Sequence, residues 1–430
     1  MSKPRFVISC PFDTYSGYGA RSRDIVKAII ESDKYKVELL SQRWGETSWG
    51  FCNDHPEWTF LNNHVVTQDW QKTQPEVWMQ ITIPNEFTPV GKFNIGCTAG
   101  IEATACKAEW IEGLNRMDVN WVSSTFAKGV FESVNYEKRN KQTQVLEKNI
   151  RVEKPIEVIF EGANLDVYKP ISGGEIKTID LQDIKESFCF LNVGHWIQGD
   201  FGHDRKNLAL LIKAFYETFK GPNSPKPALI LKASMGVASY ISRDSILDKI
   251  KNIRDTVNSP TLPNIYLLNG EFDDGEINEL YNHPKVKAMV SLTKGEGFGR
   301  PLLEFSLTGK PIIASGWSGH LDFLKPEFST LISGELENVH SSAANQWLVP
   351  EAQWFKPSES SIGKNLKECY KKYKQFISKA KQQKQFSKSN FSYDKMEELV
   401  DKTLNSYIPN FPSQVDFKFP ELQLPKLKKI

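Results

Sequence analysis

The sequence predicts an α/β chain of two doubly wound parallel sheets, and three observations predict it. RFVISC, a helical run and KVELLS open the chain as βαβ within its first 41 residues. After a polar, proline-marked stretch, FCFLNVG and NLALLIKAFYETF restart the same alternation at residue 188. Further on, VKAMVSLT, a glycine-rich loop, LLEFSLTG and PIIAS read as strand, loop, helix and strand. At 430 residues the chain has room for two or three domains of about 150 residues each.

Composition narrows the classes. Hydrophobic residues at 40% and charged residues at 25% are globular values. The net charge of +2 singles out no polyanion for the chain as a whole. Six cysteines, at 10, 52, 97, 106, 189 and 369, include no CxxC pair. In a chain that is neither short nor cysteine-dense they suit free thiols in a reducing cytosol. MSKPRFVISCPFD holds only a short apolar run and is unlike a signal peptide. No apolar stretch approaches the ~18 residues of a spanning helix. The expectation is a cytoplasmic protein without a transmembrane segment.

RFVISC reads as a buried parallel strand and RSRDIVKAII as the helix that follows it. Gly17 and Gly19 fall in the loop between them, where such a fold meets its ligand. The run Gly17-Tyr18-Gly19-Ala20-Arg21-Ser22 lacks the third glycine of a nicotinamide fingerprint, and a plain tight turn is the alternative reading. EVWMQI and FNIGCTA are further strands. Glu102 follows the second of them and is a candidate cleft carboxylate, with a helix cap or a solvated side chain as the alternative. A helix near residues 110–117, the strand VNWVSS and the helix FAKGVFES come next. Residues 140–155 read as a polar loop or insertion. In IEVIFEGANLDVYKP, Gly162 and Asn164 turn the chain and Pro170 marks a crossing.

In the second half, NLALLIKAFYETF carries apolar residues at 208, 211, 212 and 215, a helix face. Asp204-Arg205-Lys206-Asn207 precedes it. Cations at a helix start oppose its dipole, so Arg205 and Lys206 call for an anion, with a basic helix start on the surface as the alternative reading. A phosphate supplies one, gripped by the arginine fork and the lysine point charge. PALILKAS brings Lys232 near the carboxyl end of a strand, a further candidate for the cleft, with solvent as the equal alternative. In EGFGRPLLE, Glu296 and Glu304 stand eight positions apart. Pro301 suits the first helical turn. The amides of Gly297, Phe298 and Gly299 are then aimed at an anion with the helix dipole behind them. Glu304 lies where a ribose would be held, and Glu296 nearer to whatever follows the phosphate. The layout fits a sugar nucleotide.

EGFGRPLLEFSLTGKPIIAS resembles the Glu-x7-Glu motif of retaining GT-B glycosyltransferases of the family 4 type. The resemblance covers most of residues 5–407 and is specific at 205–207 and 296–315. It implies two Rossmann-like domains facing across a cleft. The acceptor-side domain would span 1–170 and the nucleotide-sugar domain 171–392. A helix at 393–410 would cross back to the first domain, followed by an extended basic tail at 411–430. The implied reaction moves a sugar from a nucleotide-sugar to an acceptor hydroxyl with retention. Glu296 and Glu102 would be catalytic and Glu304 would hold the ribose. Arg205, Lys206, Gly297, Phe298 and Gly299 would hold the diphosphate, with Gly19 packing under it and Gly17 and Lys232 at the cleft. No metal is implied, since no DxD-type carboxylate cluster is placed to carry one, and no cofactor beyond the nucleotide-sugar co-substrate. Two departures stand out. His195 occupies a place where the family often has arginine. No first-domain histidine suggests itself for the donor sugar, since His55 and His64 lie in a Trp- and Asn-rich insert. His320 reads as structural.

Lysines at 364, 367, 371, 372, 374, 379, 381, 384 and 388 face one acid, Glu368. Apolar residues at 366, 370, 373, 376 and 377 supply a helix face, so a solvated cover helix is the simple reading. An anion-facing surface for nucleic acid or acidic lipid is the sharper one. Three rival functions follow. A DNA-modifying transferase would share the chemistry and show a salt-sensitive gel shift. A sugar-nucleotide binding protein would never release the nucleoside diphosphate. A GT-B-fold epimerase should not carry the Glu-x7-Glu unit. Donor base, donor sugar and acceptor (glycan, lipid-linked sugar or nucleic acid) are read by main chain and cleft shape, which the sequence does not reveal.

Overall fold

The computed structural model of the chain describes residues 3–66, 70–345 and 348–411. The basic tail expected at 411–430 lies outside them except for Phe411.

The first sheet is built from β1 (Arg5–Cys10), β2 (Lys36–Ser41), β3 (Val77–Ile81), β4 (Phe93–Cys97), β5 (Val119–Val122) and, after a hairpin, β8 (Ile156–Val158). All six strands run parallel in the order β2-β1-β3-β4-β5-β8. Phe6, Val7 and Ile8 are fully buried on successive positions. That continuous burial, rather than alternation, is what a parallel strand covered on both faces requires. The helices of this half are α1 (Gly17–Glu31), the short α2 (Phe51–Asp54), α3 (Ala108–Leu114) and α4 (Thr125–Ser133). The hairpin is β6 (Tyr136–Arg139) with β7 (Leu146–Ile150), in a stretch the sequence reads largely as loop. Most of its side chains are exposed, so there is no apolar alternation to announce the strands.

The second sheet takes β9 (Cys189–His195), β10 (Ala228–Ser234), β11 (Ile265–Leu268), β12 (Val286–Ser291), β13 (Ile312–Ser315) and β14 (Thr330–Ile332). Their order is β11-β10-β9-β12-β13-β14, again parallel. Between them run α5 (Leu208–Phe219), α6 (Tyr240–Asp255), α7 (Asp274–Asn282) and α8 (Arg300–Ser306). On α5, Leu208, Leu211, Ile212 and Phe215 are buried. A hairpin of β15 (Gly334–Asn338) and β16 (Gln353–Pro357) follows, then α9 (Glu359–Lys371), α10 (Tyr373–Asn390) and α11 (Tyr393–Tyr407). The lysine-rich run is thus two helices, broken at Lys372 with φ −114° and ψ 31°. Helix α11 returns to the first domain, where Met396, Val400 and Leu404 join the core that holds Ile25 and Ile29.

Strand order reverses between β1 and β3 in one sheet and between β9 and β12 in the other. In open α/β sheets, ligands bind outside the carboxyl ends of the strands at such points. Segments at these ends meet between the domains. Ser123 Oγ donates to Gly297 O at 3.1 Å, and the Thr125 amide donates to Asp322 Oδ2 at 2.8 Å.

Candidate functional site between the domains

Four side chains converge where the β9 and β12 loops face the first domain. Lys206 Nζ lies 2.6 Å from Glu296 Oε1, and Arg205 Nη1 lies 3.4 Å from Glu296 Oε2. Across the gap, Arg205 Nη2 lies 3.5 Å from Glu102 Oε1. Glu102, Arg205, Lys206 and Glu296 therefore form one charged cluster drawn from both domains.

Local chemistry explains the placement. Asn207 sits in the left-handed region (φ 58°), which asparagine tolerates, and its Nδ2 donates to Leu292 O at 3.1 Å. Asp204 Oδ2 accepts the Leu208 amide at 3.2 Å and caps the start of α5. The Lys294 amide donates to Arg205 O at 2.7 Å, which locks the two loops together. Lys294 itself is buried, with Nζ 2.5 Å from Glu337 Oε1. On the far side the Glu296 amide donates to Ser318 Oγ at 2.9 Å, and the Gly319 amide donates to Glu296 O at 3.0 Å.

Charge states follow from burial and neighbours. Burial pushes the Glu296 carboxyl up, but Lys206 and Arg205 outweigh it and bring it to about 2. Burial and Arg205 lower Lys206 against the pull of Glu296. Arg205 is raised despite burial, because Glu102 and Glu296 both face it. The cluster is two cations against two acids, and an incoming diphosphate would meet the cations.

The loop before α8 gives amides to such an anion. Gly299, at φ +96°, caps α8, and Pro301 sits in its first turn. Among the described residues, no protein acceptor engages the amides of Gly297, Phe298 or Gly299. The Phe298 side chain is elsewhere, in the core against Phe323.

Glu304 stands apart from the first cluster. Its Oε1 accepts from Arg300 Nε at 2.8 Å, and Arg300 Nη1 reaches Asp24 Oδ2 of α1 at 2.5 Å. Burial raises the Glu304 carboxyl to about 7, with Asp274 and Asp24 adding to burial and Arg300 opposing it. Burial lowers Arg300, and Asp24 and Glu304 more than reverse that. Arg300 and Asp24 escape the sequence reading. Arg300 lies inside the motif, but nothing local tells which carboxylates it will join. Asp24 has no signal at all, because its partner is 276 residues away.

The remaining candidates sort by contact. Gly19 has its amide engaged by Ser16 Oγ at 2.9 Å, so it is not free for a phosphate. A Cβ there would come within 2.3 Å of Thr14 O, which gives the glycine a packing role. Gly17 is exposed at the start of α1, with nothing within 4 Å of an added Cβ. Lys232 lies on the neighbouring strand, its Nζ 5.2 Å above the Phe272 ring. Beside it, His195 Nδ1 is 2.9 Å from Ser234 Oγ, and burial, Lys206 and Lys232 lower its basicity. His320 is buried with Nε2 2.7 Å from Ser315 O. His64 contacts Val37 O at 3.1 Å, and His55 stacks on Phe51. No group of three metal-ligating side chains occurs among the described residues. All six cysteines are buried and free.

A cavity of about 680 Å³ opens between the domains beside the segment that follows β13. Phe126, Phe160, Trp317 and Phe391 line it with Thr125 and Ser318, the residue that holds the Glu296 amide.

No family model matches the chain, and no curated protein matches it. Solved structures do. HepE of Anabaena, solved with UDP and glucose, matches with a TM-score of 0.59 at 14% identity, over 94% of this chain and 100% of HepE. Sucrose-phosphate synthase of Thermosynechococcus elongatus matches with a TM-score of 0.61 at 12% identity, over 94% of this chain and 98% of that one. WaaG, a glycosyltransferase involved in lipopolysaccharide biosynthesis, matches with a TM-score of 0.55 at 12% identity, over 92% and 99%. The fold of this chain is GT-B, two Rossmann-like domains facing across a cleft.

Proposed function

We propose that the protein is a metal-independent retaining glycosyltransferase of the family 4 type, moving a sugar from a nucleotide-sugar to an acceptor hydroxyl. The observation that carries the reading is the convergence of Arg205, Lys206, Glu296 and Glu102 at the domain interface. Neighbours of the same fold were solved with UDP-glucose and with UDP-2-fluoro glucose, so a UDP-hexose is the first donor to test.

The chemistry follows from the charges. The bond from the anomeric carbon to the diphosphate breaks, and negative charge grows on the leaving oxygen. Arg205, Lys206 and the 297–299 amides stabilise that charge, so cations of the protein do what a metal does elsewhere. The acceptor oxygen bonds the anomeric carbon on the same face, and its proton passes to the departing phosphate. Glu296, ionised at neutral pH, accepts from the hydroxyls of the donor sugar. Glu102 faces the acceptor hydroxyl from the first domain. Glu304 accepts from the ribose.

The test is a panel of nucleotide-sugars incubated with the full chain, followed by release of nucleoside diphosphate. Slow hydrolysis of one donor without acceptor, abolished by Glu296→Ala, supports the reading. Binding of a donor with no release under any acceptor would reduce the protein to a sugar-nucleotide binder.

A further inference from the structure

Helices α9 and α10 carry +8 of formal charge between residues 364 and 388, in a chain whose total is +2. Among the described residues none of these nine lysines makes an ion pair or a side-chain hydrogen bond. Eight of the nine are exposed, Lys384 being half-buried. On α10, Lys374, Lys381 and Lys388 recur every seven residues, about 10.5 Å per step along one flank. On α9, Lys364, Lys367 and Lys371 are three and four residues apart, opposite the buried face of Ile362, Leu366 and Cys369.

The arrangement works against helix stability. Like charges at i,i+3 and i,i+4 repel, and Lys367–Lys371 and Lys384–Lys388 are such pairs. Lys372 caps α10 and Lys374 lies in its first turn, where no acid offsets the positive end of the dipole. An ordinary solvated face would mix signs. Next to the junction of the two helices lies a cavity of about 570 Å³ lined by Lys185, Lys226, Lys287 and Tyr370, with Glu186 as its acid. The positive surface therefore extends beyond the helices.

We propose that this face of the second domain binds the phosphodiester backbone of a nucleic acid, without sequence preference. A straight ladder of cations on a rigid helix suits a regular polyanion. A membrane-binding helix instead sets large apolar side chains beside its lysines. Here no large hydrophobic residue of α9 or α10 is exposed. The hydroxyls of Tyr370 and Tyr373 are tied to Pro225 O and Lys287 O at 2.9 and 3.0 Å, so neither ring is free to insert. The surface offers charge and no wedge. It lies outside the interdomain cluster, and its binding does not depend on the transfer chemistry.

The experiment is fluorescence anisotropy of a short labelled DNA duplex with the full chain across a salt series. Neutralising about four phosphates predicts a roughly 10²-fold loss of affinity between about 50 and 200 mM salt. The triple variant Lys374→Glu/Lys381→Glu/Lys388→Glu should bind at least tenfold more weakly with donor turnover unchanged. If that variant melts early, the triple Lys→Gln variant decides instead, with a smaller loss and a flatter salt slope. Absence of saturable binding at the low-salt end overturns the proposal, as does equal binding by the folded variant. Capture of the protein by phosphatidylserine vesicles with no duplex binding also overturns it, in favour of a membrane.

Discussion

Two buried glutamates in one loop-helix unit shift in opposite directions: two cations lower Glu296, and burial raises Glu304. Glu296 has two cations and titrates at about 2, so it stays ionised under any working condition. Removing Lys206 leaves that charge buried with only the longer Arg205 contact. Lys206→Ala and Glu296→Ala are each expected to cut turnover by about 10²–10³-fold, the scale of losing one preorganised charge contact. Nucleoside diphosphate release checks this, with circular dichroism showing the fold retained; near-native turnover in either variant rejects the assigned role. Glu304 has one cation and two facing acids, and rises from 4.5 to about 7 on folding. The folded state then binds that proton more tightly than the unfolded chain. The stability from this group is present below about 4.5 and lost as pH rises through about 7, a difference of roughly 3 kcal/mol. Glu304→Gln should therefore be more stable than the parent at pH 8, with the gap closing as pH falls towards 4.5. Chemical denaturation at the two ends of that range measures it. On the proposed ribose contact, donor binding should move the other way, because the amide is a poorer acceptor for two hydroxyls. A variant both less stable at pH 8 and unchanged in donor affinity would contradict both statements.

At the scale of elements, the strand-loop-helix unit around residues 296–304 is the part most legible in the sequence, because its information is local. Gly299 at φ +96° and Pro301 in the first turn of α8 are fixed by backbone chemistry that any reader of the chain can apply. Gly299→Ala places a Cβ in the left-handed region, 3.1 Å from His320 Cβ. The expected cost is about 1–2 kcal/mol, seen as a lowered melting temperature, with turnover reduced because the loop amides shift. Most strands of the two large sheets are equally readable, since buried parallel strands are short apolar runs such as β1 and β12, whereas β14 and the β15–β16 hairpin are not read as strands. Illegible elements share a cause. The β6–β7 hairpin has nearly all its side chains in solvent, so no pattern separates strand from loop. The break at Lys372 lies within a run whose composition is uniform on both sides. The engaged amide of Gly19 and the Asp24–Arg300 pair depend on contacts that spacing does not encode. What the residues of the motif are was readable; which partner each one meets was not.

For the whole molecule, the two domains stand closed upon each other, and glycines mark the seam. A Cβ on Gly295 would lie 1.9 Å from Glu102 O, and one on Gly297 would lie 2.6 Å from Ala99 O. The seam is tied by Arg300 to Asp24, by Thr125 to Asp322 and by Thr104 to Gln353. Each sheet has a large core of its own, while α11 crosses back and a smaller cluster packs Ala103 of the first domain against Val339, Ala352 and Trp354 of the second. Closure brings Glu102 of one domain onto Arg205 of the other, so the four-residue cluster exists only in this state. A side chain at position 295 should therefore separate assembly of the site from stability of the fold. Gly295→Ala opposes backbone with backbone, which no rotamer change relieves, and it does so between domains rather than inside one. Its melting temperature should stay close to the parent's, since neither of the two large sheet cores is touched. Donor affinity should also persist, because Arg205, Lys206, Glu304 and the loop amides all belong to the second domain. Turnover should fall by at least tenfold, and small-angle scattering with donor bound should report a larger radius of gyration than the parent. A variant that turns over normally would mean that transfer does not need the contact between Gly295 and Glu102, and the first domain's carboxylate would lose its assigned place.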